Sequence, residues 1–68
     1  MEKLGERLRE LRMEKGLSAM ALSKIILISD SVIIRWENGK CGMSIDNLIR
    51  LAKFFEVTTD YLLGLTDF

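Results

Sequence analysis

Few side chains in this sequence could carry covalent or metal chemistry. There is no histidine and a single cysteine, Cys41. A closed zinc site needs four such ligands and a disulfide needs two thiols, so neither is expected, and no cofactor is implied. Cys41 falls in a loop and reads as incidental rather than as a nucleophile or redox group. Lys24 lies among apolar residues, where a desolvated amine could form Schiff bases. A solvated or snorkelling lysine is far commoner. No carboxylate pair and no glycine-rich phosphate loop supports an enzyme. What remains is recognition chemistry, and it gathers in one stretch, Ser29 to Gly39, SDSVIIRWENG.

That stretch has the marks of a short docked helix. Ser29 is a good N-cap. Val32, Ile33 and Trp36 have helical apolar spacing. Asn38-Gly39 stops the helix, because glycine accepts the left-handed conformation needed there. One side must pack inward, and the other carries the function. The whole chain is 68 residues, which predicts one small domain over 1–68 with little buried surface. Lysine plus arginine equals aspartate plus glutamate, ten of each, so the formal net charge is zero. Small nucleic-acid-binding domains are usually basic, and neutrality counts against strong DNA binding without excluding it. The apolar fraction of 49% is high for so small a chain, so some apolar side chains must face water or a partner. No apolar run approaches the ~20 residues of a membrane span, and MEKLGERLRE is too charged for a signal peptide. The expectation is a soluble protein with no membrane contact, cytoplasmic if natural.

Helical signals fill the chain and predict an all-α fold of five short helices. Met1 to Lys15 reads as the first, with Leu4, Leu8 and Leu11 on one stripe and Lys15-Gly16 closing it. Ser18 caps a second helix through Ile26, with Leu22 and Ile26 inward and Met20, Ser23, Lys24 and Leu27 on another face. Leu27-Ile28 must then turn the chain without a glycine, so either the second helix runs on or the turn is strained by about 1 kcal/mol or more. Ser44 caps a fourth helix, Ile45 to Phe55, with Ile45, Leu48, Leu51, Ala52 and Phe55 inward. Thr58 caps a fifth around Thr59 to Leu63, ended by Gly64.

Three segments in order, LGERLRELRMEKGLS, ISDSVIIRWENGK and SIDNLIRLAKFFEVTTDYLLGLTD, resemble the helix-turn-helix domain of phage-type repressors, the Cro and C1 or xenobiotic-response-element class. The likeness covers nearly the whole chain. It implies a lambda-repressor-like fold whose helix-turn-helix spans about 18–38 and whose third helix enters the major groove, with dimers on half-sites about one turn of DNA apart. By the same resemblance Arg12 and Glu37 occupy positions of an ion pair tying helix one to helix three, and Ser29, Ser31, Arg35, Asn38 and Lys40 match usable DNA-contact positions.

The departures gather on the surface that would face DNA. The family's usual glutamine at the start of helix two is Ala19, the next residue is Met20, and the turn glycine is Leu27. Groove-facing positions are commonly amides, hydroxyls or guanidiniums, which read base edges; here they are Asp30, Ser31, Val32, Ile34 and Arg35. Asp30 would repel phosphates. Ile34 cannot hydrogen-bond a base edge, although it could touch a thymine methyl. Ala19, Met20, Ser23, Lys24, Leu27, Ser31, Ile34 and Met43 are expected to form a mostly apolar patch rimmed by Asp30, Lys24 and Arg35. An apolar centre with a polar rim is the anatomy of a protein interface. The sequence alone therefore favours a protein-binding module on a repressor-like scaffold, with an engineered docking face and self-association as a subcase. The alternative is a sequence-specific double-stranded DNA-binding repressor.

Overall fold

The computed structural model describes residues 2–68. Five helices follow one another: α1 (Glu2–Glu14), α2 (Ala19–Ile26), α3 (Asp30–Glu37), α4 (Ile45–Phe55) and α5 (Thr59–Leu63). Among the described residues there is no strand, and the fold is all-α. Met1, expected to open the first helix, lies outside the described residues. That helix also ends at Glu14, with Lys15 and Gly16 in the turn after it.

Local chemistry places four of the helix starts. The hydroxyls of Ser18, Ser29, Ser44 and Thr58 accept from the backbone N–H groups of Ala21, Val32, Asn47 and Tyr61. Each bond satisfies one donor that the first helical turn leaves without a partner. The apolar stripes then meet in one cluster. Leu4 and Leu8 of α1, Leu22 and Ile26 of α2, and Ile33 and Trp36 of α3 pack with Leu48, Leu51, Ala52 and Phe55 of α4 and Leu62 of α5. Leu11 only leans on this cluster from its edge. Ile45 was expected inward and is 74% exposed. It is the first residue of α4, directly after the Ser44 cap.

The seam between α1 and α3 fixes how α3 is held. Gly5 is buried there, and a Cβ built on it would lie 2.7 Å from the Glu37 carbonyl oxygen and against that of Trp36. Only glycine lets the two backbones approach so closely. Two turns further along α1, Arg12 grips Glu37 with both arms, Nε to Oε2 at 2.7 Å and NH2 to Oε1 at 2.9 Å. The third arm, NH1, donates to the Leu17 carbonyl at 2.8 Å. A planar fork on a carboxylate fixes orientation as well as distance. The hydrogen bond to Glu37 raises the Arg12 pKa above its ordinary value, partial burial opposing it and the carboxylate charge assisting. Trp36 Nε1 donates to the Gly42 carbonyl at 3.1 Å, tying the following loop to α3. On the far side Arg7 donates to the carbonyls of Tyr61 and Thr66 and lies 4.2 Å over the Tyr61 ring, which holds the C-terminal segment against α1.

Candidate nucleic-acid interface

Helices α2 and α3 are joined by Leu27, Ile28 and Ser29, and the turn is as strained as its lack of glycine predicts. Helix α2 stops at Ile26, and Leu27 takes φ 61 and ψ 41, the left-handed region. The N–H groups of Leu27 and Ile28 both return to the Ser23 carbonyl. The last carbonyl of α2, on Ile26, accepts from Arg50 NH2, which reaches across from α4. Ser29 then caps α3, so the chain reverses with its helix-end groups largely satisfied. No sequence pattern pointed to Arg50, because it meets Ile26 across 24 positions.

Helix α3 turns Ile33 and Trp36 into the core and leaves Ser31, Ile34, Arg35 and the cap residue Asn38 exposed. An α-helix with its side chains is about 10–12 Å across, which the ~12 Å wide major groove admits. Met20 and Lys24 of α2 are exposed as well. Among the apolar residues of this side, Leu27 is 85% exposed, Met20 56% and Ile34 45%.

Other members of the expected patch do not face outward freely. Ala19 and Met43 pack against the core cluster, and so does Val32, which the resemblance counts among the groove-facing positions. Ser23 is half-buried, and its hydroxyl donates to the Met20 carbonyl of its own helix at 2.6 Å. Asp30 is half-buried at the first turn of α3, where an acid is favoured by the helix dipole. Ser29 and Ser31 share a hydrogen bond between hydroxyls at 3.0 Å. The expected apolar patch thus thins to three exposed apolar side chains, Met20, Leu27 and Ile34.

Charge is distributed unevenly. Lys24, Arg35 and Lys40 are exposed on or beside this side, and among the described residues none of them pairs with a carboxylate. Glu37, the acid nearest the end of α3, is occupied by Arg12 and only 6% exposed in its side chain. Helix α1 carries four of the ten acids and four of the ten cations and so cancels itself, while Glu56, Asp60 and Asp67 all lie after α4. A neutral total therefore conceals a locally cationic face, and local potential is what a polyanion meets.

Residues 5–67 match the helix-turn-helix domain family. The chain belongs to that family. This helix-turn-helix domain is 37% identical over 59 residues to the transcriptional activator BcrR of Enterococcus faecalis, covering 87% of the chain and 29% of the activator. It is 33% identical to repressor protein C2 of Salmonella phage P22, covering 88% of the chain and 28% of the repressor. The chain thus spans under a third of either relative. Among solved structures it is similar to the restriction-modification controller protein C.AhdI of Aeromonas hydrophila, with a TM-score of 0.78 and 35% identity over 88% of this chain and 91% of that one. It is equally close in shape to the DNA-binding domain of BldD from S. venezulae, TM-score 0.78 and 27% identity, covering 90% and 91% of the two chains. The likeness to phage-type repressors is borne out. The expectation of an engineered, protein-docking module is not, since the relatives are transcriptional regulators and a structural neighbour is a DNA-binding domain. Exposed apolar residues misled that expectation because they were counted as one patch, and the cations around them were averaged into a neutral whole. No helix among the described residues is long and apolar enough to cross a membrane.

Proposed function

We propose that this domain binds double-stranded DNA sequence-specifically, as the DNA-reading part of a transcriptional regulator. What supports this above all is the exposed side of α3, held in a helix-turn-helix and bordered by three cations free of carboxylate partners. Helix α3 lies in the major groove. Arg35 reads a guanine with its fork, the commonest specific contact. Ser29, Ser31, Asn38 and Lys40 hold the phosphate backbone and set the register. Asp30 is half-buried in the first turn of α3, and partial burial limits its repulsion of phosphate. Two chains on half-sites about one turn apart would match the usual arrangement of such domains.

The test is a selection from random duplex DNA by the purified chain at low salt, where electrostatic attraction is strongest. An enriched motif is expected, and Arg35→Ala should relax it at a guanine. A recovered pool as random as the input would sink the reading.

A further inference from the structure

Ile34 sits at the middle of the outward side of α3. Ser31 lies one turn before it, Arg35 beside it and Asn38 one turn after, all exposed. Its neighbour Ile33 is fully buried, so Ile34 is not a core residue displaced by register. The hydrogen-bonding capacity around it is small. Ser31 already shares its hydroxyl with Ser29, and no glutamine stands anywhere on the helix. Arg35 and Asn38 are the groups left to donate, and the central position is an aliphatic side chain with neither donor nor acceptor.

A DNA duplex offers such a side chain one complementary feature in the major groove, the methyl group on C5 of thymine. The setting selects DNA over an apolar protein surface. Lys24, Arg35 and Lys40 have no carboxylate partner, and a wholly apolar partner would leave these cations desolvated, whereas phosphates neutralise them.

We infer that Ile34 is a specificity-determining residue that reads the C5-methyl group of a pyrimidine, and that it accepts 5-methylcytosine where it accepts thymine. The inference rests on the DNA-binding reading above. The two bases carry the methyl at the same ring position and differ at position 4, where thymine accepts a hydrogen bond and cytosine donates one. A side chain that makes no hydrogen bond cannot sense that difference. Unmethylated cytosine at the same place leaves Ile34 facing a gap. Binding is then sensitive to cytosine methylation at that one position in each half-site.

The experiment takes the motif recovered from the random pool and replaces its thymines singly by deoxyuridine, which removes only the methyl. At one thymine per half-site the loss expected for the wild-type chain is about four-fold, the value of one buried methyl. Ile34→Ala should bind the thymine and deoxyuridine duplexes equally. Cytosine placed there should bind weakly and 5-methylcytosine should recover the lost affinity. Because Ile34 is exposed, Ile34→Ala should keep its helical circular dichroism and its Arg35-dependent guanine preference, which separates lost reading from lost folding. A motif that depends on Arg35 but is indifferent to deoxyuridine everywhere overturns the inference and leaves the DNA-binding reading intact. Equal sensitivity of Ile34→Ala and wild type, or 5-methylcytosine no better than cytosine, overturns it too. No enriched motif at all removes both.

Discussion

The two sides of α3 are built on opposite rules. Toward α1, a glycine admits two backbone carbonyls, an arginine fork meets a carboxylate, and an indole N–H finds a carbonyl. Among the described residues no buried side-chain polar atom is left without a partner. Away from α1, a leucine stands in left-handed backbone in nearly full solvent, an isoleucine faces water, and three cations go unpaired. Packing explains every residue of the first side and few of the second. A side whose residues are not explained by the fold is free to be chosen for what it meets. If that is so, substitutions on the α1 side should cost stability, and substitutions on the outward side should change binding with little cost.

The strongest challenge to this contrast is Gly5→Ala. The added Cβ must displace the backbone of α3 at Trp36 and Glu37, neither of which can rotate away. Overpacking of this kind costs about 3 kcal/mol, more than the ~1 kcal/mol by which alanine improves on glycine in a helix. A domain this size has about 3–10 kcal/mol in total, so the variant should sit near its unfolding threshold. Urea unfolding followed by circular dichroism measures it, and a loss below about 1 kcal/mol would show that the seam can open cheaply.

Next comes Glu37→Ala. It strands the Arg12 guanidinium, which keeps only the Leu17 carbonyl. Breaking a fully buried pair costs about 3–5 kcal/mol, and partial solvent access to Arg12 brings the expected loss to about 2 kcal/mol. The double variant Arg12→Met, Glu37→Leu should recover part of that loss, because no charge is then left unpaired. If the double variant is as unstable as the sum of the single ones, the pair is not coupled and the seam rests on packing alone.

On the outward side the effect to measure is salt dependence. Lys24→Gln and Lys40→Gln should each flatten the slope of log affinity against log salt by about 0.9, the value of one phosphate contact on duplex DNA. Their unfolding midpoints should not move. A slope unchanged in both would place DNA, if bound, on some other face.

What the chain order made legible follows the range of each interaction. The four hydroxyl caps act on N–H groups three residues away, so sequence alone located them. The strain at Leu27 could be counted: the helices leave three residues for the reversal and none is glycine. Gly5 could not be interpreted, because its reason is the carbonyls of α3 some thirty positions later. Arg7 and Arg50 were hidden for the same reason, since their acceptors lie 54, 59 and 24 positions away. At the site, periodicity put Met20, Lys24 and Leu27 on an outer face of α2, and the resemblance put Ser31, Ile34 and Arg35 outward on α3; all six are exposed. The resemblance misjudged Ala19 and Met43 as members of the patch and Val32 as groove-facing; their cover comes from other elements. The function was misread through an average: α1 is neutral in itself, and carboxylates toward the C-terminus, Glu56, Asp60 and Asp67 among them, cancel the cations beside α3 in the total.

The smallest expected effect is the most informative about Leu27. Among the described residues two non-glycine residues are left-handed, Leu27 at φ 61 after α2 and Glu56 at φ 58 after α4. Glycine at either position should remove about 1–2 kcal/mol of steric cost and add back about 0.5–1 kcal/mol of backbone entropy, a net gain of a few tenths to about 1 kcal/mol. Glu56→Gly should gain more, because it also removes an acid from a helix C-terminus, where the dipole disfavours it. Leu27→Gly gives up almost no burial, its side chain being 85% exposed. If Leu27→Gly instead loses stability while Glu56→Gly gains it, Leu27 makes contacts that its exposure does not reveal. If both gain, DNA affinity decides between the turns. A fall in affinity for Leu27→Gly alone would mean that the strained leucine is kept at the turn for what it touches in the complex. Equal affinity in both variants would mean that the two turns are strained alike and that neither is part of the reading surface.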